Sequence, residues 1–343
     1  MVKSSFFKSL GIDTGRRRGS HARGPGGLGA PGTPSQSGKI DPDVANSAQT
    51  FLDQGARPIE IVEPATLKTP VIFASPHSGR RYPADLLDVT SLDHQTLRLS
   101  EDSYVDLLFE SVPRHGAPML KALFPRAYVD VNRSRRELDP SMFQGSIGTG
   151  LDLRSSRVLA GLGVIPRIVA DGRHIYQKRL PAQTAQQRLS SCYDPYHEAL
   201  KGLIDKAQHQ FGVAVVIDCH SMPSAGGAAL RPGEPMIDFV LGDRFGVSSA
   251  PSIPGLVEAI LGQHGCHVVR NAPYAGGYVA NTYGRPGKGV HVLQIEINRA
   301  LYLDENRITR NDGFDPLREV LDELIGELVT IDPAALRVPR AAE

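Results

Sequence analysis

The sequence predicts an α/β protein built on a largely parallel sheet with helices packed against it. Three observations carry that expectation. Short apolar runs (VIFA, VAVVI, DFVL, VHVLQIEI) are too brief for helices and too apolar for strands with a solvated face. Segments with helical spacing alternate with them, as in a βαβ arrangement. Polar residues follow several of the runs directly, where open α/β sheets bind ligands.

The elements read as follows along the chain. Residues 71–74 (VIFA) follow Pro70 and end at SPHSG, the pattern of a buried strand entering a loop. Residues 100–112 place Val105, Leu108, Phe109 and Val112 at helical spacing, with Ser100 as N-cap. Residues 127–131 (AYVDV) read as a strand. Residues 182–212 carry a long helical pattern, split near Pro195 because proline lacks the N–H that an interior turn needs. Residues 213–217 (VAVVI) form the clearest buried strand and run straight into DCHS. Residues 238–241 and 290–297 are further strands; 254–261 and 315–329 read as helices.

Composition narrows the class. The chain has 343 residues with a formal charge of +1, which removes the basic field of a nucleic-acid binder. No apolar run approaches the ~20 residues of a membrane span. Residues 1–45, rich in Gly, Ser, Pro and Arg, cannot bury enough apolar area to offset their ordering entropy and read as a disordered basic tail. Arg16, Arg17 and Arg18 lack the apolar stretch that an export signal requires. One domain is expected over 46–335, with a second disordered tail at 336–343. The cysteines Cys192, Cys219 and Cys266 include no CxxC pair, which excludes a cysteine-rich zinc site and a disulfide framework and fits a cytoplasmic location. Cys219, inside an apolar run, is a small core residue rather than a nucleophile.

Several common catalytic motifs are absent. HEAL at His197 lacks the second histidine of HExxH, no GxSxG elbow occurs, and GRPGKG carries Gly289 where a P-loop needs Ser or Thr. What remains is a dispersed set. His77 sits on a corner between Pro76 and Gly79, and His220 follows the strand 213–217. Two histidines at strand ends plus one carboxylate make the three-ligand set of a catalytic zinc site, with a fourth position left for water. Asp102 is the expected carboxylate and Glu101 the alternative. Asp218, two residues before His220, either orients a ligand imidazole or caps a helix. Glu296, on a strand flanked by Ile295 and Ile297, needs a partner to offset its burial, and a general-base role supplies one. The rival role is a salt bridge to Arg299. Asn132 and Arg133 suit a substrate carboxylate. Arg126, Arg135 and Arg136 read as solvated or paired with acids such as Glu137 and Asp139. Gly277, Asn281 and Tyr283 belong to a loop that either covers the substrate or is an ordinary turn.

Read together, SPHSG at Ser75, EDSYVDLLF at Glu101, RAYVDVNRS at Arg126, YHEAL at Tyr196, DCHS at Asp218 and GGYVANTYG leading into VHVLQIEIN resemble the N-formylglutamate amidohydrolase family, in the family's order over residues 65–305. The resemblance implies a three-layer, zinc-carboxypeptidase-like fold and one zinc ion activating water against the amide of a small N-acyl amino acid. It places the metal on His77, Asp102 and His220, the base on Glu296, and substrate contacts on Asn132 and Arg133. The choice of Asp102 over Glu101 rests on it. The expected reaction is N-formyl-L-glutamate to formate and glutamate, with Arg133 stabilising the oxyanion. Asn281 stands where the family often carries an arginine, which bears on acidic specificity. The rivals are a zinc amidase for a peptide or cell-wall amide and a non-catalytic binding protein. Other divalent transition metals suit the same donors.

Overall fold

A seven-stranded mixed sheet organises the chain, in a computed structural model that describes residues 57–227 and 235–337. Its strands are β1 (Ile59–Val62), β2 (Val71–Ser75), β3 (Met119–Ala122), β4 (Ala214–Met222), β5 (Phe239–Gly242), β6 (Val268–Arg270) and β7 (Val290–Asn298), in the order β1-β3-β2-β4-β7-β5-β6. The four inner strands β3, β2, β4 and β7 run parallel. β1 and β5 are antiparallel to their inward neighbours, and β6 is parallel to β5. The tail read at 1–45 lies outside the described residues, as does 336–343 apart from Leu336 and Arg337.

Helices cover both faces, giving three layers. α1 (Val105–Leu108), α4 (Ser252–Gln263) and α6 (Phe314–Leu328) pack on Val71, Phe73, Val215, Ile217, Ile295 and Ile297. α2 (Ala182–Arg188), α3 (Asp194–Phe211) and α5 (Tyr278–Tyr283) pack on the opposite face, over Ile72, Ala74, Ala214, Val216 and Val292. Every residue of β4 and β7 is buried, which is why the two read as continuous apolar runs rather than alternating ones.

Two expectations needed correction, while the split expected near Pro195 is present. Residues 127–131 form a turn, with Tyr128 and Val129 donating to the Pro125 carbonyl and Asp130 to that of Val164. Tyr128, Val129 and Val131 are buried as strand residues would be, but β3 holds the place beside β2 in the sheet. Only one α-turn forms within 100–112. It opens at Tyr104, whose left-handed φ of 65° breaks the run from Ser100. Asp102 there donates its N–H to the His77 carbonyl, which draws the backbone away from a helical path. The pattern at 182–212 breaks ahead of Pro195, in a wider π-turn over Leu189–Tyr193. The strands β1, β3 and β6, of three or four residues, were not anticipated.

Candidate metal centre and active site

The side-chain alternation of β4 and β7 builds the site. On one face β4 carries Ala214, Val216, Asp218 and His220, while β7 carries Val290, Val292, Gln294 and Glu296. The N-terminal halves are core; the C-terminal halves are polar. The parallel register sets Asp218 beside Gln294 and His220 beside Glu296. His220 therefore lies within the strand's last turn of pleat, not beyond it.

His77 comes from the corner after β2. Gly79 is needed there for room: a Cβ would stand 2.1 Å from the Phe124 carbonyl oxygen. His77 Nε2 lies 2.8 Å from Asp130 Oδ1. That aspartate also accepts the Asn132 N–H on Oδ1 at 2.9 Å and Arg126 Nε on Oδ2 at 2.8 Å. His220 Nε2 lies 3.0 Å from Asp218 Oδ2. Each imidazole thus spends Nε2 on its own aspartate and turns Nδ1 inward. The two Nδ1 atoms meet at one oxygen, Asp102 Oδ2, at 2.9 Å from His220 and 3.4 Å from His77. The ring centroids are 4.8 Å apart.

Asp102 is fixed by its backbone bond to His77 and by Arg299 Nη2, which donates to Oδ1 at 3.0 Å. Burial opposes its charge, yet the hydrogen bond from His220 and the nearby His77 imidazole hold the carboxyl well below the usual range. Around His220, burial is likewise outweighed by Asp218 and Asp102, which favour positive charge at this point. His77 Nδ1 is buried with no hydrogen-bond partner. One orphaned imidazole nitrogen, a second nitrogen facing it and a shared carboxylate, all within 4.8 Å, are a donor set that fits a divalent transition metal. Glu101 is not part of it. Its carboxylate accepts Tyr82 Oη at 2.6 Å, Ser103 Oγ at 2.7 Å and Arg98 Nε at 3.0 Å, a structural knot behind the site.

Glu296 faces the same space. Its Oε1 accepts from Gln294 Nε2 and its Oε2 has no partner among the described residues. Arg299 does not pair with it, being occupied by Asp102, Ser221 and the Leu99 carbonyl. Burial pushes the Glu296 carboxyl up, with Asp102 adding to the effect and His220 and Arg126 opposing it.

These groups border a cavity of about 300 Å³. Arg126, Arg133, Arg157 and Arg299 line it against Asp102, Asp130 and Glu296, so cations outnumber acids before any metal is counted. Arg126 was expected to be solvated or paired with Glu137 or Asp139; it pairs with Asp130 instead and leaves both terminal nitrogens unbonded among the described residues. Arg135 pairs with Asp194, and Arg136 donates to the Gly150 carbonyl. Asn132 borders the cavity, but its amide works within the protein. Oδ1 accepts the Val279 N–H at 2.9 Å, while Nδ2 donates to Asp218 at 3.1 Å and lies 3.0 Å from His220 Nε2. Gly277 packs on that amide.

Asn281 and Tyr283 do not line the cavity. Asn281 is an exposed residue of α5 whose carbonyl accepts from Arg285. Tyr283 lies on the other side of the helix, its hydroxyl 2.9 Å from His197 Nδ1. Asp130, Arg126 and Arg157 were missed as site residues. The first sits inside AYVDV, where alternation assigns it to a strand face, and nothing local marks Arg157 among its exposed neighbours.

Residues 69–303 match the family model described as N-formylglutamate amidohydrolase. N-formylglutamate deformylase of Pseudomonas aeruginosa is 28% identical over 268 residues, 76% of this chain and 93% of that protein. The deformylase of Pseudomonas putida is 26% identical over 267 residues, with the same shares. Among solved structures, N-formylglutamate amidohydrolase from Ralstonia eutropha superposes with a TM-score of 0.76 at 36% identity, covering 81% of this chain and 99% of its own. A protein from Agrobacterium tumefaciens shares the fold at a TM-score of 0.55 and 17% identity, covering 82% of this chain and 98% of its own.

Proposed function

The chain belongs to the N-formylglutamate amidohydrolase family, and from that premise we propose that it hydrolyses N-formyl-L-glutamate to formate and glutamate, a step of histidine degradation. The observation that carries the reading is the meeting of His77 Nδ1, His220 Nδ1 and Asp102 Oδ2 in one cavity wall beside a buried carboxyl, Glu296. His77, His220 and Asp102 would hold zinc. When bound there, the ion supplies Lewis-acid polarisation of the scissile carbonyl and acidifies water.

The chain's own residues do the rest. Asp130 and Asp218 hold each imidazole through Nε2 and leave Nδ1 turned inward, where it could hold the ion. Glu296 accepts a proton from water as the water oxygen bonds the formyl carbon, and returns it to the amine nitrogen as the C–N bond breaks. A carboxyl whose pKa burial raises is suited to both transfers. Arg126 has Asp102 and Glu296 among its charged neighbours and keeps both terminal nitrogens unbonded among the described residues, whereas Arg133 spends Nε on the Leu162 carbonyl and Nη1 on the Asn132 carbonyl. Arg126 therefore takes the developing oxyanion in place of Arg133, and Arg133 holds the substrate α-carboxylate. Asn132 positions rather than binds: its amide ties Asp218 to the N-terminus of α5.

The cavity favours a small substrate over a peptide or cell-wall amide, since about 300 Å³ lies at the lower end for small-molecule sites. No helix among the described residues is long and apolar enough to cross a membrane, and the three cysteines are buried and free, which supports a cytoplasmic setting. Metal analysis coupled to a panel of N-formyl, N-acetyl and N-carbamoyl amino acids tests the proposal. Stoichiometric zinc with preferred turnover of N-formylglutamate is expected. Protein that carries no metal and cleaves none of the panel would end it and leave the binding-protein alternative.

A further inference from the structure

The arginines of the cavity differ in what they are already doing. Arg299 spends all three guanidinium nitrogens on Ser221, Leu99 and Asp102. Arg126 is held by Asp130. Arg133 donates Nε to the Leu162 carbonyl at 3.0 Å and Nη1 to the Asn132 carbonyl at 2.8 Å, leaving Nη2 without a partner among the described residues. Arg157 is the fourth. Its backbone is fixed, its N–H on Ser155 Oγ at 3.2 Å and its carbonyl accepting the Leu162 N–H at 2.7 Å. Arg157 is an exposed residue on the border of the cavity, and its side chain has no hydrogen bond or ion pair among the described residues.

Leu162 therefore ties the two together, accepting Arg133 on its carbonyl and giving its N–H to Arg157. Two cations brought to one cavity in this way repel each other. The effect is visible on Arg133, whose pKa is lowered first by burial and further by Arg126 and Arg157, against Asp130. A carboxylate lodged at Arg157 relieves that repulsion and gains charge-assisted hydrogen bonds. The same segment supplies Leu162, Pro166 and Ile168 as an apolar wall for methylene groups.

We propose that Arg157 determines specificity by binding the side-chain carboxylate of an acidic N-acyl amino acid, beside the α-carboxylate held by Arg133. This rests on the amidohydrolase reading above. It also removes the meaning attached to Asn281, because the cation for an acidic side chain comes from a different segment.

The experiment pairs N-formylglutamate with N-formylglutamine, which differ only in the charge of the side-chain terminus, and measures kcat/KM for both with wild-type enzyme, Arg157→Ala and Arg157→Lys. Binding of N-formylglutamate is measured in parallel by calorimetry. The wild-type preference for the acid should fall about ten- to hundredfold in Arg157→Ala, the scale of a hydrogen bond to a charged group. The loss should sit in KM, since binding is made equally in ground and transition states, and Arg157→Lys should recover part of it. An unchanged preference in Arg157→Ala, with active wild type, overturns the assignment alone. Wild type that turns over neither substrate sinks the amidohydrolase reading; the subsite then stands only if N-formylglutamate still binds and the binding depends on Arg157, and falls with it otherwise.

Discussion

Gly277→Ala is the sharpest test of how the site is held. The backbone at Gly277 is extended, with φ −88° and ψ −157°, so alanine meets no conformational objection. The objection is spatial. A Cβ would lie 2.5 Å from both Nδ2 and Oδ1 of Asn132 and 2.7 Å from its Cγ. Asn132 cannot yield cheaply, because its amide is bonded at one end to the Val279 N–H and at the other to Asp218. Overpacking of this kind costs about 1–3 kcal/mol. At ~2–4 °C per kcal/mol, the midpoint of thermal unfolding should fall by about 2–12 °C. Whatever strain is relieved by moving Asn132 passes to Asp218 and the His220 ring, where a ~1 Å displacement costs about a hundredfold in rate. Thermal unfolding and turnover of N-formylglutamate measured on the same preparations give both numbers. Gly287→Ala, where nothing lies within 4 Å of the added carbon, is the control and should be close to neutral. If Gly277→Ala matches that control in both stability and rate, the reasoning about Asn132 is wrong.

Further outcomes follow from the same geometry. Glu296→Gln should retain zinc to within a few-fold yet lose roughly 10²–10⁴ in kcat, the range for a general acid–base group; full activity would place the base elsewhere. His220→Ala should abolish zinc binding and turnover together, whereas Asp130→Asn should bind zinc about 10–100-fold more weakly in a direct titration, since it orients His77 without being a ligand. A third outcome concerns pH. Burial depresses the His197 pKa to about 4 against the donation of its Nε2 to the Val131 carbonyl, while the unfolded value is near 6.5. On acidification the unfolded chain takes the proton first, so this contribution is complete above pH ~6.5 and lost as pH falls to ~4, amounting to roughly 2–3 kcal/mol. His197→Gln should flatten the denaturant-unfolding stability between those pH values; an unchanged slope would show that His197 is not the group responsible.

The sequence by itself determined the class of fold and pointed to the family. Apolar runs at 213–217 and 290–297 are local signals of strands buried on both faces, and both proved to be central strands, each extending further into its polar end. His77, His220 and Glu296 were legible because each interrupts or follows an apolar run, where a polar group needs a reason to be, whereas Asp102 was chosen over Glu101 on the family resemblance. Only the tertiary structure decided which neighbours they keep. The register of β4 on β7 is what sets His220 beside Glu296, and no feature of either strand alone specifies it. AYVDV has the alternation of a strand but folds as a turn, the place beside β2 being held by β3. That turn carries Asp130 to His77 and turns Asn132 inward. Tyr283 and Asn281, close in sequence to Gly277, fall on other sides of a helix, while Arg157 arrives at the cavity on a separate excursion of the chain. Periodicity and burial are set by nearest neighbours and survive in one dimension. The destination of a polar side chain depends on the path of the backbone through distant contacts, which the sequence encodes only collectively.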